Sequence, residues 1–366
     1  MTSTIFAGLM SGTSMDGVDA VLVDLGQAQP QLLGHHQLAY PAELLQNLQQ
    51  ASRGTALTAS QWLDLDHQVA AQFSLAIAAL LTTTQIPPDQ VAAIGSHGQT
   101  VWHQPDGDHP NSWQLGNPSV IAAQTGIPVV ADFRRMDIAL GGQGAPLAPA
   151  FHAAVFACPN AQRTILNLGG IANITVLNPT SEITGYDTGP ANCLLDSHYR
   201  KVFDQPYDKN GEWAATGHVN TALLDAMLAD SYFAAAAPKS TGLEYFSWGW
   251  VTHYLQQHAC RDADLQATLA ELSAQTIAAE ITKAGSTEVY ACGGGVNNTY
   301  LMQRLAQALP ENCRLATTAE QGIDPQQVEA MAFAWFAQQR LAGKPANLPS
   351  VTGASAACLL GSIYRA

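Results

Sequence analysis

Residues 4–25 read TIFAGLMSGTSMDGVDAVLVDL, and the class of fold turns on how this stretch is parsed. Residues 4–10 form a short apolar strand, and residues 18–25 a second, with apolar and polar positions partly alternating. Between them lies Ser11-Gly12-Thr13-Ser14-Met15-Asp16-Gly17, rich in small and hydroxyl residues. A Rossmann unit runs strand, turn, helix; this one runs strand, turn, strand. Gly8, Gly12 and Gly17 let backbone N–H groups approach an anion closely. Ser11, Thr13 and Ser14 add hydroxyl donors, and Asp16 and Asp19 suit a magnesium ion held directly or through water. The same composition also suits a plain Gly-rich hairpin turn.

The 366 residues imply two domains. Apolar residues make up 47% and charged residues 12%. Fifteen Lys and Arg against 29 Asp and Glu leave a net charge of −14. Such a chain has no general attraction for nucleic acid or an anionic membrane, and a small anionic ligand needs locally placed donors. No run of about 18 uncharged apolar residues appears, so no membrane span is expected. No basic residue precedes an apolar run at the start, so no secretory signal is expected. Six cysteines without a C-x-x-C pair argue against a disulfide framework and a thiolate zinc site. The cytoplasm is the expected compartment.

Further along, Trp62, Leu65, Val69, Phe73, Ala76 and Leu80 recur at helical spacing within residues 59–82. Residues 91–96 are a buried strand leading into His97-Gly98-Gln99-Thr100, and 127–131 another leading into Asp132-Phe133-Arg134-Arg135. Strands 164–168 and 173–177 are joined by Gly169-Gly170-Ile171-Ala172. Residues 213–280 read as mostly helical. Strand 287–292 enters Gly293-Gly294-Gly295-Val296-Asn297-Asn298, where a helix to about 308 starts. Asp324-Pro325 reads as an N-cap and N1 pair opening a helix through about 340. Each half has an early strand pair around a polar turn, then alternating helices and strands. That pattern is α/β with two related domains, a cleft between them and a boundary near 132–145.

Four further segments carry chemistry. Asp187-Thr188-Gly189-Pro190 reads as a carboxylate at a turn beside a phosphate loop, suiting a general base, a magnesium ligand or a plain Asx-turn. Only one Asp-Thr-Gly occurs, against an aspartic protease. The triple glycine at 293–295 lets a flat ring or a phosphate lie against backbone, or makes an ordinary turn. Walker A and G-x-G-x-x-G signatures are missing there. Arg134 and Arg135, ahead of Gly141-Gly142-Gln143-Gly144-Ala145-Pro146, suit a phosphate or sugar carboxylate, or a surface pair with Asp132 or Asp137. His97, Gln99 and Thr100 resemble a sugar-contacting edge, with His97 a general base or a core histidine.

GLMSGTSMDGVD, GSHGQT, ADFRRMD, GGQGAP, LNLGGIAN, YDTGPAN and CGGGVNN, in that order, closely resemble the bacterial anhydro-N-acetylmuramic acid kinase family from Gly8 to about Ala332. The resemblance implies a two-domain actin-like ATPase fold, ribonuclease H-like in each half, with an interdomain nucleotide cleft. It implies domains at 1–135 and 136–366, the last helix packing back on the first. The implied reaction uses ATP and Mg2+ to phosphorylate O6 of 1,6-anhydro-N-acetylmuramic acid while water opens the ring at C1. The product, N-acetylmuramic acid 6-phosphate, belongs to peptidoglycan recycling. On the resemblance, Asp187 is the base for the attacking water. Gly12, Thr13, Ser14, Met15, Asp16, Gly17, Val18 and Asp19 form the first phosphate loop, with Asp16 toward the metal. Gly169 and Gly170, with Gly293, Gly294, Gly295 and Asn297, border ATP. His97, Gln99, Thr100, Arg134, Arg135 and Glu329 face the substrate. A homodimer is compatible; nucleic acid and membrane are not expected partners. Another sugar kinase of the fold, an ATP-gated filament or binding protein, and a catalytically silent sugar sensor are the alternatives.

Overall fold

The alternation around the Gly/Ser turn continues into a third strand, making an antiparallel meander. This computed structural model describes residues 3–12, 15, 17–237 and 239–366. In chain order the strands are β1 (Ile5–Ser11), β2 (Gly17–Asp24), β3 (Gln31–Ala39), β4 (Val91–Gln104), β5 (Asn111–Leu115), β6 (Val129–Ala131), β7 (Arg163–Leu168), β8 (Ile171–Leu177), β9 (Thr184–Pro190), β10 (Glu288–Cys292), β11 (Arg314–Thr317) and β12 (Ser362–Tyr364). One sheet runs β12-β6-β4-β1-β2-β3, with β5 paired to β4. Strands β1 to β3 are antiparallel neighbours, whereas β4 joins β1, and β6 joins β4, in parallel. The other sheet runs β11-β10-β7-β8-β9, again an antiparallel meander extended by parallel strands. With the hairpin strand β5 and the terminal β12 set aside, both follow the order 3-2-1-4-5. This is the ribonuclease H-like order of actin-like ATPases, present twice.

Two compact units contain these sheets: Met1–Val155 with Gln327–Ala366, and Phe156–Gln326. The division differs from the boundary expected at residue 135. Its cause is local to the first unit. Asp137, fully buried, accepts from Thr352 Oγ1 at 2.7 Å, Asn347 Nδ2 at 2.8 Å and Gly144 N at 2.8 Å. The segment after residue 135 is thereby stitched to the chain's last residues. Antiparallel pairing of β12 with β6 does the same.

The helix Ala59–Thr84 starts at a capping box between Thr58 and Gln61 and buries Leu65, Val69, Phe73, Ile77 and Leu80. Each such side chain contributes about 1.5–3 kcal/mol on leaving water. On the same sheet, helix Val328–Leu341 packs against β1, β2 and β4. Gly8 and Gly95 are register partners on β1 and β4. A Cβ on Gly8 would collide with the Ala330 carbonyl oxygen, and one on Gly95 with that of Phe333. Two bare strand positions thus let the helix backbone rest on the sheet.

In the second unit, helix Asp262–Ala284 presents Ala274, Ile277, Ala278 and Ile281 to a core with Leu166, Ile174 and Tyr186. Its first half meets Phe246 and Val251 through Leu265, Leu269 and Leu272. The region 213–280 includes loops as well as helices Thr221–Leu228, Trp248–Leu255 and Asp262–Ala284. Asp324-Pro325 does not cap a helix. Asp324 Oδ1 accepts from Gln326 N at 2.8 Å, closing a turn, and the helix begins at Val328. Residues 294–297 form one 3₁₀ turn, and Asn298 caps a separate helix, Thr299–Ala308, by accepting from Leu301 N. Among the described residues no helix is long and apolar enough to cross a membrane.

Candidate functional site

In open α/β sheets, ligands meet the carboxyl ends of parallel strands. In the first unit those ends carry Ser11, the stretch His97–Thr100 and the loop after Ala131. Ser11 Oγ lies 2.6 Å from Gly17 O and 2.7 Å from Gln99 Oε1, its one proton shared between them. Tyr40 OH donates to Ser11 Oγ at 3.1 Å. Gln99 Nε2 donates to Gly12 O and Thr100 O, both at 3.2 Å. Gln99 is fully buried, so it braces the β1–β2 loop from beneath. Met15 and Val18 are buried too, and Asp19 is half-buried on β2. Thr13, Ser14 and Asp16 lie outside the described residues. Thr100 Oγ1 accepts from Gln114 Nε2 at 3.2 Å.

The paired arginines separate into two environments. Arg134 donates through one terminal nitrogen to Gly144 O and through the other to His97 Nε2, each at 2.8 Å. Arg135 is exposed, donates to Ser112 O at 3.3 Å and stands 3.6 Å from Asp132. The surface-pair reading therefore fits Arg135 only. Because Arg134 donates to Nε2, the His97 proton resides on Nδ1. Burial first, and the Arg134 charge second, lower the His97 pKa to about 3. Its basic lone pair faces a guanidinium, which makes His97 a poor general base. Its ring lies 4.8 Å from that of Phe333.

Burial lowers the Arg134 pKa to about 10, opposed by Glu329 and Asp137, so the group stays cationic at neutral pH. Glu329 stands in the first turn of its helix, where the dipole favours an acid, and is open to solvent. Crowding by surrounding protein raises its pKa; Arg134 lowers it and Asp19 raises it. Asp19, Arg134 and Glu329 are thus electrostatically coupled, although they are far apart in sequence.

In the second unit, the Gly169–Gly170 turn is held by Asn192. Its Nδ2 donates to Gly169 O at 2.7 Å and Leu168 O at 3.2 Å, and its backbone N–H to Gly169 O at 3.1 Å. Gly293 follows β10 with φ of 84°, and a Cβ there would collide with Asn167 Oδ1. A Cβ on Gly295 would meet Leu168 Cβ and Asn192 Nδ2 at 2.7 and 2.8 Å. Gly294 has nothing within 4 Å of such a position, and Asn297 is exposed. The two glycine segments therefore share Leu168 and Asn192 as neighbours, and Gly294 is their bare outer face.

Asp187 is not at a turn. It lies within β9, opposite Asn173 of β8, and is half-buried. Its N–H donates to Lys239 O at 3.0 Å, its carbonyl accepts from Tyr232 OH at 2.8 Å, and its Oδ2 accepts from Thr241 N at 3.0 Å. Burial raises its pKa from the ordinary 3.8 to about 6, with the Thr241 N–H pulling the other way. A carboxyl poised near 6 is ionised at neutral pH and able to take a proton. Tyr232, Lys239 and Thr241 escaped the sequence reading. Lys239-Ser240-Thr241-Gly242 has turn composition, but it lies in a stretch read as helical.

A family model for anhydro-N-acetylmuramic acid kinase matches residues 4–366. Among solved structures, the chain is similar to component A of (R)-2-hydroxyglutaryl-CoA dehydratase from Acidaminococcus fermentans. That match has 11% identity and a TM-score of 0.48, covering 93% of this chain and 100% of that one. It is also similar to a ROK family glucokinase from Streptomyces griseus in complex with glucose and AMPPNP. Here identity is 13% and the TM-score 0.43, covering 92% of this chain and 99% of that one.

Proposed function

Since the chain belongs to the anhydro-N-acetylmuramic acid kinase family, and so to the carbohydrate kinases, we propose that it acts on 1,6-anhydro-N-acetylmuramic acid with ATP. In this reading water attacks C1 and gives its proton to Asp187. The C1–O6 bond breaks, O6 takes the γ-phosphoryl group, and ADP leaves. The product is N-acetylmuramic acid 6-phosphate, placing the enzyme in peptidoglycan recycling. The observation that carries the reading is the half-buried Asp187 carboxyl with a pKa near 6. As an anion it both accepts the water proton and stabilises oxocarbenium-like charge at C1. The leaving O6 is captured by phosphorus, so no separate acid is required.

The other roles belong to the same proposal. Backbone around Gly12 and Gly17, with Gly169 and Gly170, serves the phosphates, and the open face of Gly294 serves the adenosine. Arg134 stays cationic and oriented by His97 and Gly144, suited to an anionic oxygen of sugar or phosphoryl. Magnesium bound with the nucleotide would neutralise charge on the transferred phosphoryl group. Among the described residues no three His, Cys, Asp or Glu side chains gather into a metal cage. Asp19 is the carboxylate that the described part of the first loop offers.

The test is ADP release with ATP, magnesium and a panel of sugars, run in ¹⁸O-water. ADP is expected with the 1,6-anhydro sugar and not with glucose or N-acetylglucosamine, and one solvent oxygen is expected at C1 of the product. Comparable turnover on glucose overturns the substrate; unlabelled C1 overturns the hydrolytic opening.

A further inference from the structure

We propose that Lys239, locked by Glu280, is the positioning residue for Asp187; this rests on the reading of Asp187 as the base. Strand β9 is the edge of its sheet, and an edge presents unpaired backbone groups. At Asp187 that edge is closed by residues 239–241. The same short segment accepts the Asp187 N–H through Lys239 O and donates Thr241 N–H to the Asp187 carboxylate, both at 3.0 Å. Whatever fixes residues 239–241 therefore aims the base.

The Lys239 side chain is 5% exposed. Its Nζ donates to Glu280 Oε1 at 3.0 Å, Tyr232 O at 3.3 Å and Phe233 O at 3.5 Å, and lies 4.9 Å from the Tyr232 ring centroid. Three acceptors match the three ammonium donors. The Glu280 side chain, 6% exposed, also accepts from Lys283 Nζ at 2.9 Å and Tyr186 OH at 3.2 Å. Tyr232 OH returns to the Asp187 carbonyl. Two arms of the knot thus end on Asp187 and its neighbour Tyr186, and the Lys239–Glu280 pair anchors the segment that holds Asp187, with Phe233 O and Lys283 as further partners. A buried ion pair seldom stabilises more than well-packed apolar side chains would, because removing both charges from water costs so much. Stability alone gives little reason for charge here, whereas fixing one geometry beside a reacting group does.

The test is a double-mutant cycle on the full chain with ATP and the anhydro sugar. Lys239→Met is expected to lower kcat about 10–100-fold, with KM for ATP within about threefold. Lys239→Arg, which keeps a cation able to reach Glu280, should recover kcat to within about fivefold of the parent. In the Asp187→Asn background, Lys239→Met should cost less than about threefold, because its action runs through the lost carboxylate. An unchanged kcat for a folded Lys239→Met protein, or equal losses in both backgrounds, overturns the proposal. Should Lys239→Met fail to fold by thermal melting, Lys239→Gln keeps a polar head without the ion pair and carries the same expectations. Near-normal turnover by Asp187→Asn alone overturns the base assignment, and this inference with it.

Discussion

Replacing Asp187 by Asn should make the protein more stable while nearly abolishing its activity. The amide keeps the size of the carboxylate, and its oxygen still accepts the Thr241 N–H now bonded to Oδ2. What it loses is charge. The folded-state pKa of about 6 lies above the ordinary 3.8 because burial disfavours the anion. As pH rises, the unfolded chain therefore releases this proton before the folded one does. The ionisation cost is missing below about pH 4, grows between about 4 and 6, and is complete above 6. At about 1.4 kcal/mol per pKa unit, that rise corresponds to about 3 kcal/mol at pH 7.5. Local rearrangement in the folded state trims it, so a gain of about 1–3 kcal/mol is expected, or a Tm higher by roughly 2–10 °C. The gain should vanish at pH 4. Turnover should fall about 10²–10⁴-fold for loss of a positioned base, with affinity for ATP within about tenfold. Calorimetry at pH 4 and 7.5, beside ADP release, measures both effects. A lower Tm at pH 7.5 would refute the electrostatic reasoning, since the amide would then have disturbed β9. Retained turnover would place the base elsewhere.

Three other expectations follow from the same geometry. With one carboxylate that must be ionised, kcat/KM should rise tenfold per pH unit below about pH 6 and level off above it; initial rates between pH 4.5 and 8 check this, and a flat profile down to 4.5 excludes Asp187 as the base. Gly8→Ala and Gly95→Ala each push a methyl group into a helix carbonyl, so each should cost about 1–3 kcal/mol in urea unfolding, and an unchanged midpoint would mean the helix Val328–Leu341 does not rest on those positions. Gly293→Ala meets Asn167 and a positive φ and should destabilise the protein, whereas Gly294→Ala has open space and should melt normally yet raise KM for ATP several-fold. Normal KM in the Gly294 variant would remove this face from the adenosine site.

What the sequence made legible follows how local each signal was. Strands β1 and β2 stand out because apolar runs flank a turn of small residues. The helix Ala59–Thr84 stands out because its apolar stripe spans seven turns. Strand β3, QLLGHHQLA, carries its polar residues on a half-exposed edge and shows no apolar run. The three residues of β12 become a strand only through pairing with β6. Thr184–Pro190 has turn composition, yet pairing with β8 holds it extended. That misreading matters most, because a turn would have left Asp187 solvated with an ordinary pKa. Lys239 and Glu280 are 41 residues apart, so no local pattern joins them. The arginine pair was legible as a pair, but only tertiary contacts distinguish the inward Arg134 from the exposed Arg135.

The repeated topology also explains why chemistry is asymmetric. Strands β3 and β9 are topological equivalents, each the third strand of its meander and the edge of its sheet. Along β3 no residue is fully buried, whereas five of the seven in β9 are. Both edge strands carry a helix, Ala59–Thr84 on β3 and Asp262–Ala284 on β9; what β9 has in addition is the segment 239–241, bonded to Asp187. An acid on β3 would stay hydrated and titrate near 4, too weak a base to deprotonate water efficiently at neutral pH. The same acid on β9 loses water on several sides yet keeps one N–H donor, a balance that sets it near 6. A duplicated scaffold thus supplies two geometrically similar edges, and the added segment 239–241 distinguishes the one that carries the proposed base. Stripping that cover without unfolding the unit, as Lys239→Met is designed to do, should move Asp187 toward the behaviour expected of an acid on β3.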